Sequence, residues 1–148
     1  MKKTSRILIV DDDLTPDQDK PNGNYMWYYT RALRDSGYKV VEVVGPDSAK
    51  EVLSSEGESF DLVILDIMMP PGKAYEKADT LNGLRTGILL AKTIQSEYPN
   101  LPVLVLTNVQ NPDTLSQLRQ IPSVKRTLCK PDCTPFELVD VIRALGET

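Results

Sequence analysis

Histidine is missing altogether from these 148 residues, which removes the side chain that most readily shuttles protons near neutral pH and most often binds transition metals. Any chemistry the chain performs therefore falls to carboxylates, hydroxyls or lysines, and a phosphohistidine, if one is involved, belongs to another protein. Cysteine is scarce. Cys129 and Cys133 are too few for a disulfide framework and, with no histidine to complete a shell, a poor basis for zinc. There is no apolar run long enough to cross a bilayer and no secretory leader pattern, so the expectation is a cytoplasmic setting with no membrane association. An excess of basic charge is lacking too: 17 Lys and Arg against 21 Asp and Glu leave a net charge of -4, which argues against nucleic acid as a partner. The length suits one domain, 1–148, with little room for a substantial second one.

What the sequence does contain is a set of short apolar runs, Ile7 to Val10, Val40 to Val44, Leu62 to Leu65, Val103 to Leu106 and Val124 to Cys129. Their length and β-branched content predict strands. The first four barely alternate with polar residues, which predicts burial on both sheet faces, whereas Lys125 and Arg126 mark the fifth as an edge. Helical segments separate the runs. Ile88, Ala91, Ile94 and Tyr98 recur at helical spacing and stop at Pro99; Asn111 precedes Pro112 as a cap; Thr134, Pro135 and Glu137 form a T-x-x-E capping box ahead of Leu138, Val141, Ile142 and Leu145. A β-α unit repeated five times predicts an α/β fold, a doubly wound five-stranded parallel sheet. Two polar stretches, at about 14–24 and 70–86, exceed the minimal repeat and are expected to be inserted loops.

Ligands of open parallel sheets collect beyond the carboxyl ends of the strands. The residues ending these runs are Asp11, Asp12 and Asp13, then Asp66, Thr107 and Lys130. Singly, an aspartate or threonine here reads as a helix cap and a lysine as a solvated charge. Together, at successive strand ends, they form a site. Crowded carboxylates repel one another unless a cation holds them ionised, and Mg2+ suits one or two carboxylates, several waters and a phosphate oxygen. A phosphoryl group on an aspartate would complete such a shell, with Lys130 and Thr107 meeting its oxygens.

The motifs Ile7-Leu-Ile-Val-Asp-Asp-Asp13, Asp61-Leu-Val-Ile-Leu-Asp-Ile-Met-Met-Pro70, Leu104-Val-Leu-Thr107 and Lys130-Pro131 resemble those of response-regulator receiver domains, over essentially the whole chain. The resemblance implies a flavodoxin-like (βα)5 receiver fold with strand order 2-1-3-4-5. It implies Asp66 as phosphoacceptor, Asp12 as a direct ligand of Mg2+ (or Mn2+), Asp11 acting through water, and the Met68 backbone carbonyl completing the protein's share of the shell. Thr107 and Lys130 correspond to the residues that contact the phosphoryl group, and a cis peptide is implied between Lys130 and Pro131. The implied partners are a sensor histidine kinase or histidine phosphotransfer protein as donor and a downstream protein target. The domain would assist its own phosphorylation and dephosphorylation rather than act as an enzyme on other substrates, and it would signal by protein contact.

Two positions depart from that pattern. Asn108 replaces the usual small residue after the threonine, where it can narrow access, and Thr127 replaces the usual aromatic three places before the lysine, so no large ring reports the switch. In the cluster Tyr25, Met26, Trp27, Tyr28 and Tyr29, the spacing of Met26, Tyr29 and Leu33 predicts a core face and leaves Trp27 and Tyr28 for a protein contact. Two other functions fit parts of the sequence. A phosphorylation-independent receiver-like scaffold accommodates Thr127. A haloacid-dehalogenase-like phosphatase would use Asp11 as nucleophile and Asp13 as acid/base in D-x-D-x-T, but it leaves Asp66 unexplained and lacks a downstream acidic pair. A flavin-binding protein of similar topology would need a phosphate-cradling loop that is absent.

Overall fold

The computed structural model describes residues 5–14 and 25–146. Within them the strands are β1 (Arg6–Val10), β2 (Lys39–Val43), β3 (Leu62–Leu65), β4 (Val103–Thr107) and β5 (Val124–Cys129). They alternate with α1 (Tyr25–Asp35), α2 (Pro46–Glu56), α3 (Thr86–Glu97), α4 (Pro112–Arg119) and α5 (Pro135–Gly146). All strand pairs are parallel in one sheet of order β2-β1-β3-β4-β5, as the motifs implied.

The pleat sends alternate residues to opposite faces, and each face has its own core. Leu8, Val10, Val63, Leu65, Val103 and Val105 pack with Ala49, Leu53, Ile88, Ala91, Ile94 and Leu118 of α2, α3 and α4. Ile7, Ile9, Leu62, Ile64, Leu104 and Leu106 pack with Met26, Tyr29 and Leu33 of α1 and with Leu138, Val139 and Ile142 of α5. The expected core face of α1 is therefore present; on α5 Leu138 and Ile142 are buried and Val141 and Leu145 pack half-buried against the same core, as expected, and Val139 is buried there as well. β1, β3 and β4 are buried on both faces, but β2 is not: only Val43 is fully buried. Its apolar sequence predicted double coverage, whereas its place at the sheet edge leaves Lys39 exposed and the middle of the strand half-covered.

The predicted caps form. Asn111 accepts hydrogen bonds from the N–H groups of Asp113 and Thr114, and Thr134 accepts from Glu137 N–H while Glu137 accepts from Thr134 N–H at a longer 3.4 Å. Of the first expected insertion, residues 15–24 lie outside the described residues; Leu14 belongs to the core beside α1. The second contains no strand or α-helix over 70–85, and Thr86 already opens α3. It is pinned down nonetheless. The Asp47 carboxylate at the start of α2 accepts from the Lys73 and Ala74 N–H groups at 2.8 and 2.7 Å, which holds its pKa below the ordinary value, and Tyr75 hydrogen-bonds Thr93 of α3.

Candidate functional site

Strand register brings the site together. Val10 lies beside Leu65, so the next residues, Asp11 and Asp66, leave neighbouring strands side by side. Thr107 pairs with Cys129, which places Lys130 one step beyond it. By the same alternation that sorts the core, Asp11 and Asp66 point as Ile9 and Ile64 do, towards the α1 and α5 side, while Thr107 follows Val103 and Val105 towards α4.

The Lys130 ammonium is the hub. Its Nζ lies 2.8 Å from Asp11 Oδ2 and 3.0 Å from Asp66 Oδ2, with Asp13 at 3.9 Å. Asp11, Asp66, Thr107 and Lys130 are all buried, whereas Asp12 is exposed at the rim. Carboxylate oxygens of Asp11, Asp12 and Asp66 fall within 4.8 Å of one another. Burial, reinforced by the Asp66 charge, pushes Asp11 up to about 6 despite the lysine. Asp12 is also raised, by burial and then by Asp13 and Asp66. For Lys130 burial favours the neutral amine, but the two carboxylates outweigh it and hold the ammonium above its ordinary value. One lysine thus does not balance three carboxylates, and the cluster fits a divalent cation by charge, by oxygen chemistry and by spacing.

The remaining neighbours fix these groups. Asp66 Oδ1 accepts from the Ile67 N–H at 2.7 Å, Asp11 Oδ1 from the Asp13 N–H at 2.9 Å, and Thr107 Oγ1 from the Val109 N–H at 3.2 Å, leaving the threonine O–H to donate. A cleft of about 970 Å3 opens above, lined by Asp12, Asp66, Met68, Thr107 and Asn108 and walled by the second insertion. That insertion turns over the site through Leu81, Asn82 and Gly83, all at positive φ. Thr127 is half-buried within β5, and Trp27 is half-buried against the exposed Tyr28 rather than fully open. Asp13 sits at the rim, mostly exposed, and Thr15 of the alternative phosphatase motif lies outside the described residues.

The Lys130–Pro131 peptide is trans, since no described peptide bond is cis. The resemblance implied the other isomer; the intrinsic preference at an X-Pro bond is only about 0.5–1 kcal/mol, and here the chain turns through a 3-10 turn at Lys130–Asp132 closed by Cys133 N–H on the Lys130 carbonyl. Sequence reasoning also passed over Gly87. A Cβ there would lie 2.1 Å from the Asp66 carbonyl oxygen, so α3 begins packed directly on the backbone that carries Asp66. A glycine in the first turn of a predicted helix, at a cost of about 1 kcal/mol relative to alanine, was the available signal.

The response regulator receiver domain family matches residues 7–143. The chain belongs to that family. This receiver is 31% identical over 105 residues to a putative two-component response regulator of Arabidopsis thaliana, covering 71% of this chain and 14% of the relative. It is 29% identical over 126 residues to the CAI-1 autoinducer sensor kinase/phosphatase CqsS of Vibrio cholerae, covering 85% of this chain and 15% of the relative. The chain thus spans about a seventh of the length of the curated relatives it matches. Among solved structures, a CheY-like response regulator receiver domain protein from Methanospirillum hungatei superposes with a TM-score of 0.72 at 19% identity, covering 97% of this chain and 94% of that one. The isolated REC domain of RcsB from Salmonella enterica serovar Typhimurium, with phosphomimetic BeF3-, gives 0.71 at 22% identity, over 97% and 89% of the two chains. At these identities the structures speak to the fold, which agrees. Among the described residues no helix is long and apolar enough to cross a membrane.

Proposed function

We propose that this receiver works as one domain over 1–148 and accepts a phosphoryl group on Asp66 from a phosphohistidine of a sensor kinase or histidine phosphotransfer protein. It then signals to a downstream protein by contact. The observation that carries this reading is the position of Asp66: a carboxylate at the end of a central strand, open to the cleft, 3.0 Å from a buried ammonium and facing the carboxylates of Asp11 and Asp12. In the transfer, an Asp66 carboxylate oxygen attacks phosphorus, the P–N bond breaks, and the departing imidazole nitrogen keeps the bonding electron pair. Lys130 then faces the phosphoryl oxygens instead of a bare carboxylate, and the Thr107 O–H donates to one of them. Hydrolysis later returns the carboxylate and inorganic phosphate.

Asp11, Asp12, Asp66 and the Met68 carbonyl are the groups that would hold Mg2+ or Mn2+, which when bound supplies charge neutralisation for the carboxylates and the transferring group. Asn108 at the cleft wall bears on how readily water reaches the acyl phosphate. Half-buried Thr127 cannot swing a ring inward, so the bound phosphoryl group is read through Thr107 and the α4 side, by shifting the population of two surface conformations.

Mass-spectrometric mapping after incubation with Mg2+ and a small acyl-phosphate donor tests the assignment. Acyl phosphate on Asp66 that disappears in Asp66→Asn is expected. Label on Asp11 would instead indicate the phosphatase chemistry, and no label on a folded, metal-binding protein would indicate a scaffold.

A further inference from the structure

The lysine at the centre of the site hangs from the end of an edge strand. β5 is exposed or half-buried along its length and stops at Cys129. Beyond it, the turn Lys130–Asp132 contains Pro131, which has no N–H to give, and the backbone bond closing it, Cys133 N–H to the Lys130 carbonyl, is long at 3.3 Å. Yet the Lys130 Nζ must meet two buried carboxylates at 2.8 and 3.0 Å from the end of a flexible stem. Where the stem starts decides whether it arrives.

We propose that Tyr29 of α1 is a positioning residue for Lys130. Its ring is 1% exposed in the core shared by α1 and α5, and its hydroxyl reaches the carbonyls of Lys130, at 3.2 Å, and Cys133, the nearer of the two. One O–H is thereby shared between the two ends of the turn that launches the lysine, more strongly with the nearer Cys133 carbonyl. Packing does not ask for that donor: Met26 and Leu33 occupy the same helix face without one, and a phenyl ring would fill the same space. The phenol instead ties the helix after the acidic cluster to a turn more than a hundred residues later, on the side of the sheet to which Asp11 and Asp66 point. Without the hydroxyl the Cys133 carbonyl loses the nearer phenol contact and the Lys130 carbonyl keeps only the long bond from the Cys133 N–H, so the turn is free to re-form around water and to carry the lysine with it.

Tyr29→Phe keeps the ring and deletes the donor. Two readouts apply, and the second rests on the phosphoacceptor reading while the first does not. Acylation of Lys130 by a small amine-reactive reagent, followed by peptide mass spectrometry, is expected to speed up severalfold in the variant. Phosphorylation of Asp66 at saturating small-molecule donor is expected to slow about tenfold, with the half-saturating donor concentration unchanged, as for a displaced group that acts in the transition state. Replacement of Tyr29 by 4-aminophenylalanine, which restores an N–H donor, is expected to recover both. Leu33→Ala, further along the same helix face, is expected to lower the melting temperature without moving either readout in the folded protein. Lys130 reactivity equal to wild type in Tyr29→Phe overturns the proposal, as does an unchanged phosphorylation rate in a protein whose Asp66 is labelled. If wild-type Asp66 takes no label the functional reading fails, and the Lys130 reactivity still decides the tether.

Discussion

Asp61 and Asp66 bracket the same four-residue strand, and the fold treats them in opposite ways. At the amino end, Asp61 Oδ2 accepts from the Ser5 N–H, the Ser5 hydroxyl and the Arg6 N–H, all within 3.0 Å, so its charge is met by donors that stitch β1 to β3. At the carboxyl end, Asp66 meets one backbone N–H and one lysine, and across from it stand Asp11 and Asp12. The same side chain is structural where the chain supplies donors, and under the proposed function it is chemical where the chain supplies further carboxylates. A cluster that the protein leaves short of positive charge favours whatever brings it, and a divalent cation is the species of matching chemistry.

The largest expected effect comes from the backbone beneath the chemical end. Gly87→Val pushes side-chain atoms into the Asp66 carbonyl and the Ile67 Cα, 2.1 and 2.5 Å from where even a Cβ would sit. We expect a loss of about 3 kcal/mol in urea unfolding, together with loss of divalent-cation binding, while the Asp61 end is undisturbed. Stability close to wild type would show that α3 can retreat freely from the site.

Next is the pH dependence of the metal-free protein. Because the folded state raises Asp11 to about 6, its contribution to stability is complete below the ordinary carboxylate pKa and is lost as pH rises through about 6. In chelator, stability should therefore fall between about pH 4 and 7 by about 2 kcal/mol more in wild type than in Asp11→Asn. Identical slopes for the two proteins would remove Asp11 from the account. The smallest effect is the direct comparison of strand ends. Asp61→Asn weakens three charge-assisted bonds and should cost about 1 kcal/mol. Asp66→Asn relieves the carboxylate cluster and should leave metal-free stability unchanged or raise it by about 1 kcal/mol. A loss in both would erase the contrast.

Much of this was legible in the sequence because short β-branched apolar runs, their polar ends and a five-fold β-α alternation are local signals. Strands β3 and β5 match their expected bounds, and Asp11, Asp66 and Lys130 meet, with Thr107 lining the same cleft as Asp66, because a parallel sheet aligns the ends of its strands. The edge exposure of β2 was not legible from composition, since an apolar run does not state how many neighbours it has. The trans Lys130–Pro131 peptide was not legible because the intrinsic preference at an X-Pro bond is only about 0.5–1 kcal/mol, too small for residue identity to set the isomer. Gly87 against Asp66, Asp47 against Lys73 and Ala74, and Tyr29 against Lys130 and Cys133 are meetings of groups far apart in sequence, each on a partner's backbone atom, and of the three only Gly87 left a signal in residue identity.

Beryllofluoride with Mg2+, followed by 19F NMR, tests the contrast between the two strand ends most directly, because this mimic of an acyl phosphate requires a carboxylate, a cation and an ammonium arranged together. Protein-bound fluorine resonances in wild type and in Asp61→Asn, and none in Asp66→Asn, are expected. Undiminished bound signal in Asp66→Asn would contradict the assignment of the chemistry to the carboxyl end of β3.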